Sequence, residues 1–181
     1  GTMAKPLHAG KAACDGLLAA RLAARGFTGS PAVMESPQGL AAATVGVTPD
    51  PARLDRLDDR WTIRETLFKY HAACYLTHAS INAALTLADR VDVDEIARVE
   101  VRVAPDLLEV CDIAEPATGL EGKFSLRATT AMAFLGDDTT DMASYSDARM
   151  GERDLVDLRD RVAVVVEDGR TSTRSTVLVT T

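Results

Sequence analysis

Ten residues of the sequence, from Lys69 to His78, hold an unusual share of the side chains that can do chemistry. The stretch KYHAACYLTH contains two of the three histidines in the chain, one of its three cysteines and one of its four lysines. Imidazole groups transfer protons near neutral pH, and an ammonium group attracts carboxylates. Three interpretations follow: a metal site, a catalytic cluster, or a coincidence of core packing.

A metal site is the first alternative. His71, Cys74 and His78 form the pattern H-x2-C-x3-H, which offers three ligands of the types that zinc prefers. A structural zinc site needs a fourth ligand, and a catalytic one needs partners that orient its ligands. No other histidine or cysteine stands at a convincing spacing, so we expect no metal. Cys74 also fits a thiol nucleophile, although a buried and unreactive cysteine is the commoner role.

An anion site is the second alternative. Lys69 ends a predicted strand, His71 lies in the following loop, and His78 opens a predicted helix. A lone His78 would be a polar residue near a helix start, with Thr77 as the cap. The end of a strand and the N-terminus of a helix together form a corner that binds anions. A lysine and two histidines at such a corner favour a carboxylate substrate and proton transfer near pH 7.

The elements that would position these residues follow from hydrophobic periodicity. Three- and four-residue spacings predict helices, and the alternation of Ile96–Val103 predicts a strand with one wet face. Asp168-Gly169 between two β-branched runs predicts a hairpin. The predicted helices are 5–25, 32–43, 49–59, 79–88, 124–135 and 152–160, and the predicted strands are 61–69, 96–103 and the two arms of the hairpin within 161–179.

This order of elements predicts an α+β fold. We expect about four mostly antiparallel strands with helices packed on one face, preceded by short N-terminal helices. Residues 1–3 resemble a cloning remnant. Residues 4–60 are then a helical segment, and residues 61–181 an α+β domain.

Composition limits the classes of function. The chain has 181 residues, a net charge of −7 and a pI near 4.9, which argue against binding to nucleic acid or to an anionic membrane. No apolar run is long enough to span a membrane, and the first residues lack the apolar stretch that is typical of a signal peptide. Three scattered cysteines fit reduced thiols, so we expect a cytoplasmic protein.

Four segments, in order and in spacing, resemble the second half of MmgE/PrpD family proteins. They are KPLHAGKAA (5–13), RGFTGSP (25–31), FKYHAACYLTHASINAAL (68–85) and LEGKFSLRATTAMAFL (120–135). The family includes 2-methylcitrate dehydratase, cis-aconitate decarboxylase and iminodisuccinate epimerase. The resemblance covers nearly the whole chain from Ala4 onward.

The resemblance implies a two-domain enzyme, with a large helical domain followed by a smaller α+β lid domain and an active site between them. This chain corresponds mainly to the lid, so its partner would be the upstream helical domain, and the intact protein is expected to be a homodimer. The implied reaction is the dehydration, decarboxylation or epimerisation of a small polycarboxylate, without a cofactor. The alternative is a standalone, non-catalytic domain that retains the lid fold and binds a ligand or a partner.

The resemblance also assigns roles to particular residues. Lys5 and His8 match the family pattern K-x-L-H-x-G, and Lys123 precedes the matching F-S. His71 departs from the family, because it stands where many members have an aromatic residue, and this indicates a substrate other than methylcitrate. The implied catalytic residues are His8, His71 and His78, and the implied substrate-binding residues are Lys5, Lys69 and Lys123.

Overall fold

A computed structural model describes residues 2–47, 50, 52 and 61–181. The packing of the chain divides it into two units, Met3–Leu67 and Phe68–Thr181. Each unit is described by itself below.

The first unit is built from helices and turns. Helix α1 spans Ala4–Ala23, as predicted, and none of its residues is buried. The predicted helix 32–43 is mostly turns, and a shorter helix, α2, spans Leu40–Val45. The predicted helix 49–59 falls almost wholly outside the described residues.

The predicted strand 61–69 is wrong. Thr62–Glu65 is a 3-10 helix, and the residues that follow it extend without joining a sheet. A strand needs a neighbour for its backbone groups. Here the N–H groups of Arg64 and Thr66 donate instead to the carbonyls three residues earlier, at 3.0 and 3.2 Å.

The second unit contains the sheet and six helices among the described residues. The predicted helices 79–88, 124–135 and 152–160 are confirmed, with ends that shift by one or two residues. No helix in the described ranges is long and apolar enough to cross a membrane. In chain order the elements are α3 (His78–Ala88), β1 (Arg98–Val103), α4 (Leu108–Cys111), α5 (Gly119–Gly122), α6 (Leu126–Leu135), α7 (Asp147–Met150), α8 (Arg153–Arg159), β2 (Val162–Val166) and β3 (Thr176–Thr180).

The sheet has three strands in the order β2-β1-β3, with β1 parallel to β2 and antiparallel to β3. The α+β class is confirmed, whereas the expected four mostly antiparallel strands are in fact three in a mixed sheet. A parallel pair needs a long crossover connection. Residues 104–161, which include α4 to α8, provide it.

The predicted hairpin is also wrong, because β2 and β3 do not pair with each other. Val101 of the intervening β1 faces Val164 of β2 on one side and Val177 of β3 on the other. The turn at Asp168-Gly169 does form, with Gly169 at a φ of 79°. Residues 170–175 follow this turn, and they give the chain enough length to cross β1 before β3 begins on the other side.

One face of β1 forms the core. Val99, Val101 and Val103 are fully buried, while Arg98 and Arg102 are exposed on the other face. The helices pack on the sheet, and α6 contacts α3, α8 and β2. Alanines and threonines make up most of the middle of α6, and such small residues let its neighbours approach closely on several sides.

Gly119, at the start of α5, is a position where only glycine fits. A Cβ there would lie 1.9 Å from the carbonyl oxygen of Tyr145 and 2.5 Å from its carbonyl carbon. The Gly119 N–H donates to Asp147 Oδ1 at 2.8 Å, and Thr118 and Glu121 cap the helix reciprocally. This close packing fixes the short helix that leads directly to Lys123.

Candidate functional site

The segment 69–74 is hydrogen-bonded to two other segments of the second unit. The Ala72 N–H donates to the Thr139 carbonyl at 2.9 Å, and the Cys74 N–H donates to the Lys123 carbonyl at 2.8 Å. Thr139 lies in the loop after α6, and Lys123 lies between α5 and α6. A loop and the start of α3 therefore hold these residues, where a strand end and the N-terminus of a helix were predicted.

Lys69 and Lys123 line one cavity of about 400 Å³. No aspartate or glutamate is among its lining residues. Lys69 Nζ donates to the Ala73 carbonyl at 3.1 Å, and Lys123 Nζ lies 5.4 Å from the centre of the Tyr145 ring. Two cations from segments far apart in sequence thus line the same cavity, and no lining carboxylate offsets their charge. This arrangement favours an anionic ligand.

His71 is buried at the back of this cavity. Its Nδ1 lies 2.8 Å from Thr139 Oγ1, and its Nε2 lies 3.0 Å from Asn82 Oδ1. Because the amide oxygen of Asn82 can only accept, Nε2 carries the ring hydrogen, and Nδ1 of the neutral ring accepts from the threonine hydroxyl. Both nitrogens therefore have partners, and the ring is held in one orientation.

His78 contacts the ring of His71 but differs from it in its hydrogen bonds. The two rings meet edge to face with centroids 4.9 Å apart. His78 is only 7% exposed, and its Nε2 is buried without a hydrogen-bond partner. It lines a second cavity of about 230 Å³ together with Tyr75 and Asn82, and Tyr70 lines both cavities. The expected side-chain cap at Thr77 does not form, because the Thr77 hydroxyl donates to the Cys74 carbonyl at 2.8 Å.

Burial lowers the pKa of His78 below its ordinary value of 6.5, because the charged ring loses its hydration. The positive charge of Lys69 and the neighbouring His71 ring lower this pKa further, and backbone groups of His71 and Ala73 act in the opposite direction. His78 is therefore a neutral imidazole at pH 7 with one unpartnered nitrogen. That is the state in which a histidine can accept a proton.

We expect the Lys69→Met substitution to raise the pKa of His78. The substitution removes a positive charge that disfavours protonation of the ring, so the protonated form becomes easier to reach. The Hε1 resonance of His78, followed by NMR between pH 4 and pH 8, should titrate below 6.5 in the wild type and at a higher pH in the variant.

Lys11→Met is the matched control for this titration. Lys11 lies on α1 and is ion-paired with Asp15, and its replacement changes the net charge by the same amount. It should leave the pKa of His78 unchanged. Equal pKa values in Lys69→Met and the wild type would show that Lys69 exerts no electrostatic influence on the ring.

The metal and thiol alternatives find little support in the geometry. Within the described part of the chain, no group of three or more histidines, cysteines, aspartates or glutamates is arranged to hold a metal ion. The thiol of Cys74 is hydrogen-bonded to the thiol of Cys111, and this bond, together with burial, raises the pKa of Cys111 far above its ordinary value. Cys111 therefore stays protonated inside the core.

Lys5 and His8 belong to the first unit. Both are exposed on α1, one turn apart, within the helix predicted for this segment. Their roles as substrate-binding and catalytic residues stay predictions. The second unit brings together the other four candidates, Lys69, His71, His78 and Lys123.

Asn82 and Thr139 were missed by sequence reasoning although they orient His71. Asn82 stands four residues after His78, and residues at this spacing share one face of a helix, so the predicted helix 79–88 contained a usable signal. Thr139 has no such signal, because it lies 68 residues from His71 in sequence. Only the fold brings them together.

Comparison with known proteins supplies the family. No curated protein matches the chain. The sequence profile of the MmgE/PrpD C-terminal domain matches residues 71–179. This range contains His71, His78 and Lys123, whereas Lys69 lies just before it, and Lys5 and His8 lie well before it. With more than half of its residues matched, the chain belongs to the MmgE/PrpD family and carries the C-terminal domain of that family.

Proposed function

We propose that the second unit contributes half of an active site to a cofactor-independent lyase or isomerase that acts on small polycarboxylates. The observation that carries the proposal is the cavity in which Lys69 and Lys123 meet without a lining carboxylate. Polycarboxylates carry two or three negative charges at neutral pH, and ammonium groups bind them through charge-assisted hydrogen bonds. In a protein of net charge −7, a local cationic cavity also offsets the repulsion that such a substrate would meet elsewhere.

Each of the two cavities has a different role in the proposed reaction. The lysines of the first cavity would hold the carboxylates. His78 in the second would remove the proton from the carbon beside one of them in dehydration or epimerisation, whereas in decarboxylation a protonated His78 would return a proton to that carbon after CO2 is lost. Dehydration, decarboxylation and epimerisation all pass through negative charge next to a carboxylate, so nearby cations lower the energy of each transition state. Tyr70 lines both cavities, and the proposal requires that one small substrate reach both.

His71 has a different role in this proposal. Its two ring nitrogens are engaged by Thr139 and Asn82, so it acts as a positioning residue that holds the ring of His78. The remaining wall of the site would come from an upstream helical domain. The proposal therefore includes that domain as a partner.

The proposal predicts that this 181-residue chain binds citrate weakly and turns over no polycarboxylate. One cationic wall, open to water, gives little net affinity, so we expect a Kd on the order of millimolar. The double substitution of Lys69 and Lys123 with methionine should weaken citrate binding by about tenfold or more, because both charge-assisted contacts disappear. Isothermal titration calorimetry at constant ionic strength measures this difference.

The double substitution of Lys11 and Arg153 with methionine is the matched control, since it removes the same number of charges at exposed positions paired with Asp15 and Asp157. It should bind citrate as the wild type does. If this control weakens binding as much as the substitutions in the cavity, the effect reflects net charge alone and the proposed site is wrong. Turnover of a polycarboxylate by the chain itself would overturn the need for a second domain.

A further inference from the structure

A second group of cations surrounds the beginning of β2. Arg98, Arg127 and Arg161 line a cavity of about 480 Å³, together with Asp160 and the first residues of β2. No residue of this cavity lines either of the two cavities around Lys69 and His78. It is therefore a separate feature of the same unit.

Arg127 is the unusual member of this group. It is half-buried, its Nε is buried without a hydrogen-bond partner, and it forms no ion pair within the described residues. A buried donor without an acceptor costs free energy that native proteins rarely leave uncompensated. An acceptor supplied by a ligand would remove this cost.

The position of Arg127 at the start of α6 makes its positive charge still less favourable there. It is the second residue of the helix, and no acidic residue stands in the first turn. The positive end of the helix dipole lies there, and it disfavours a cation and favours an anion. An anion beside Arg127 would satisfy both the guanidinium group and the end of the helix.

The other charges around the cavity do not neutralise it. Arg161 Nη1 donates to the Ile96 carbonyl at 2.7 Å, and Arg161 forms no ion pair in the part of the chain that the structure describes. Asp160 is the only acidic residue that lines the cavity, and its Oδ1 already accepts two hydrogen bonds from Arg159. The cavity thus keeps an excess of positive charge in an acidic protein.

We propose that this cavity is a second anion site, which binds a small oxyanion of the phosphate or carboxylate class. A guanidinium group offers parallel N–H donors that match two oxygens of such a group, and two unpaired arginines on one cavity can hold a dianion. The ligand would lie in the cavity beside the first residues of β2, with its oxygens at the guanidinium groups of Arg127 and Arg161.

The test is an NMR titration of the 181-residue chain with inorganic phosphate at constant ionic strength, with the arginine Nε–H signals as the readout. We expect a saturable shift of the Arg127 signal. Arg127→Met should weaken phosphate binding by about tenfold or more, and Arg161→Met should also weaken it, with the fold of each variant verified by circular dichroism. A parallel titration with citrate distinguishes a phosphate ligand from a carboxylate ligand.

Arg153→Met is the matched control, because the Arg153 side chain is 94% exposed on α8 and lies outside the cavity. It should bind phosphate as the wild type does. The proposal is overturned if neither anion gives a saturable shift at Arg127, or if Arg153→Met weakens binding as much as Arg127→Met. Binding of an oligoglutamate peptide but of neither small anion would also overturn it, in favour of an acidic protein partner.

Discussion

Replacing His78 with glutamine in an enzyme that carries both family domains should lower kcat/KM by about a hundredfold or more, the usual effect of losing a general base. Glutamine retains polarity and similar size but cannot take up a proton at neutral pH. The loss should fall on kcat more than on KM, because proton transfer contributes to the transition state and not to substrate binding. Steady-state kinetics with a small polycarboxylate measures both parameters.

Lys69→Met tests the same site through binding. Removal of one charge-assisted contact should lower kcat/KM by about tenfold, with a larger share of the loss in KM. Lys11→Met should keep the wild-type rate. Full activity in both His78→Gln and Lys69→Met, with the fold verified by circular dichroism, would show that these residues serve the structure of the domain and not its chemistry.

Gly119→Ala should destabilise the second unit by about 3 kcal/mol or more. Overpacking commonly costs about 1 to 3 kcal/mol, and the higher end applies here because the obstruction is backbone. The new Cβ would meet the carbonyl group of Tyr145, which no change of rotamer can move away. For a unit of this size the midpoint of thermal unfolding should fall by roughly 10 °C.

Gly151→Ala is the control for this effect. Gly151 follows α7 in the same unit, is exposed, and has a negative φ, and the nearest atom to a new Cβ is the Ala148 carbonyl oxygen at 3.7 Å. Its substitution should change the free energy of unfolding by less than about 0.5 kcal/mol. Equal stability of Gly119→Ala and Gly151→Ala would mean that the segment around Tyr145 shifts at little cost.

Local patterns predicted the parts of the fold that local forces determine. The alternating valines of β1 and the apolar stripes of α3 and α6 each record a buried face, so their type and position could be derived from sequence. Pairing between strands is not local. The residues around Gly169 form the turn that their types favour, yet β2 and β3 lie on either side of β1. In this order the backbone groups of β1 have hydrogen-bond partners along both of its edges.

The candidate site shows the same division. Residue type and spacing singled out Lys69, His71 and His78, and the two histidine rings do contact each other. The resemblance added Lys123, which does share a cavity with Lys69. The unpartnered Nε2 of His78 and the unpaired guanidinium of Arg127 could not be predicted. Both depend on which groups the folded chain fails to bring within hydrogen-bond distance.

The strand order has a consequence for how this domain folds. The central strand lies in the first part of the second unit, and both of its partner strands come more than fifty residues later in the sequence. Arg98 faces Thr180, and Val99 faces Val162. Contacts between residues so distant in sequence slow folding, since the chain loses the entropy of a long loop before the first pair of strands forms. During synthesis, neither edge of β1 has its partner strand until β2 and then β3 have left the ribosome.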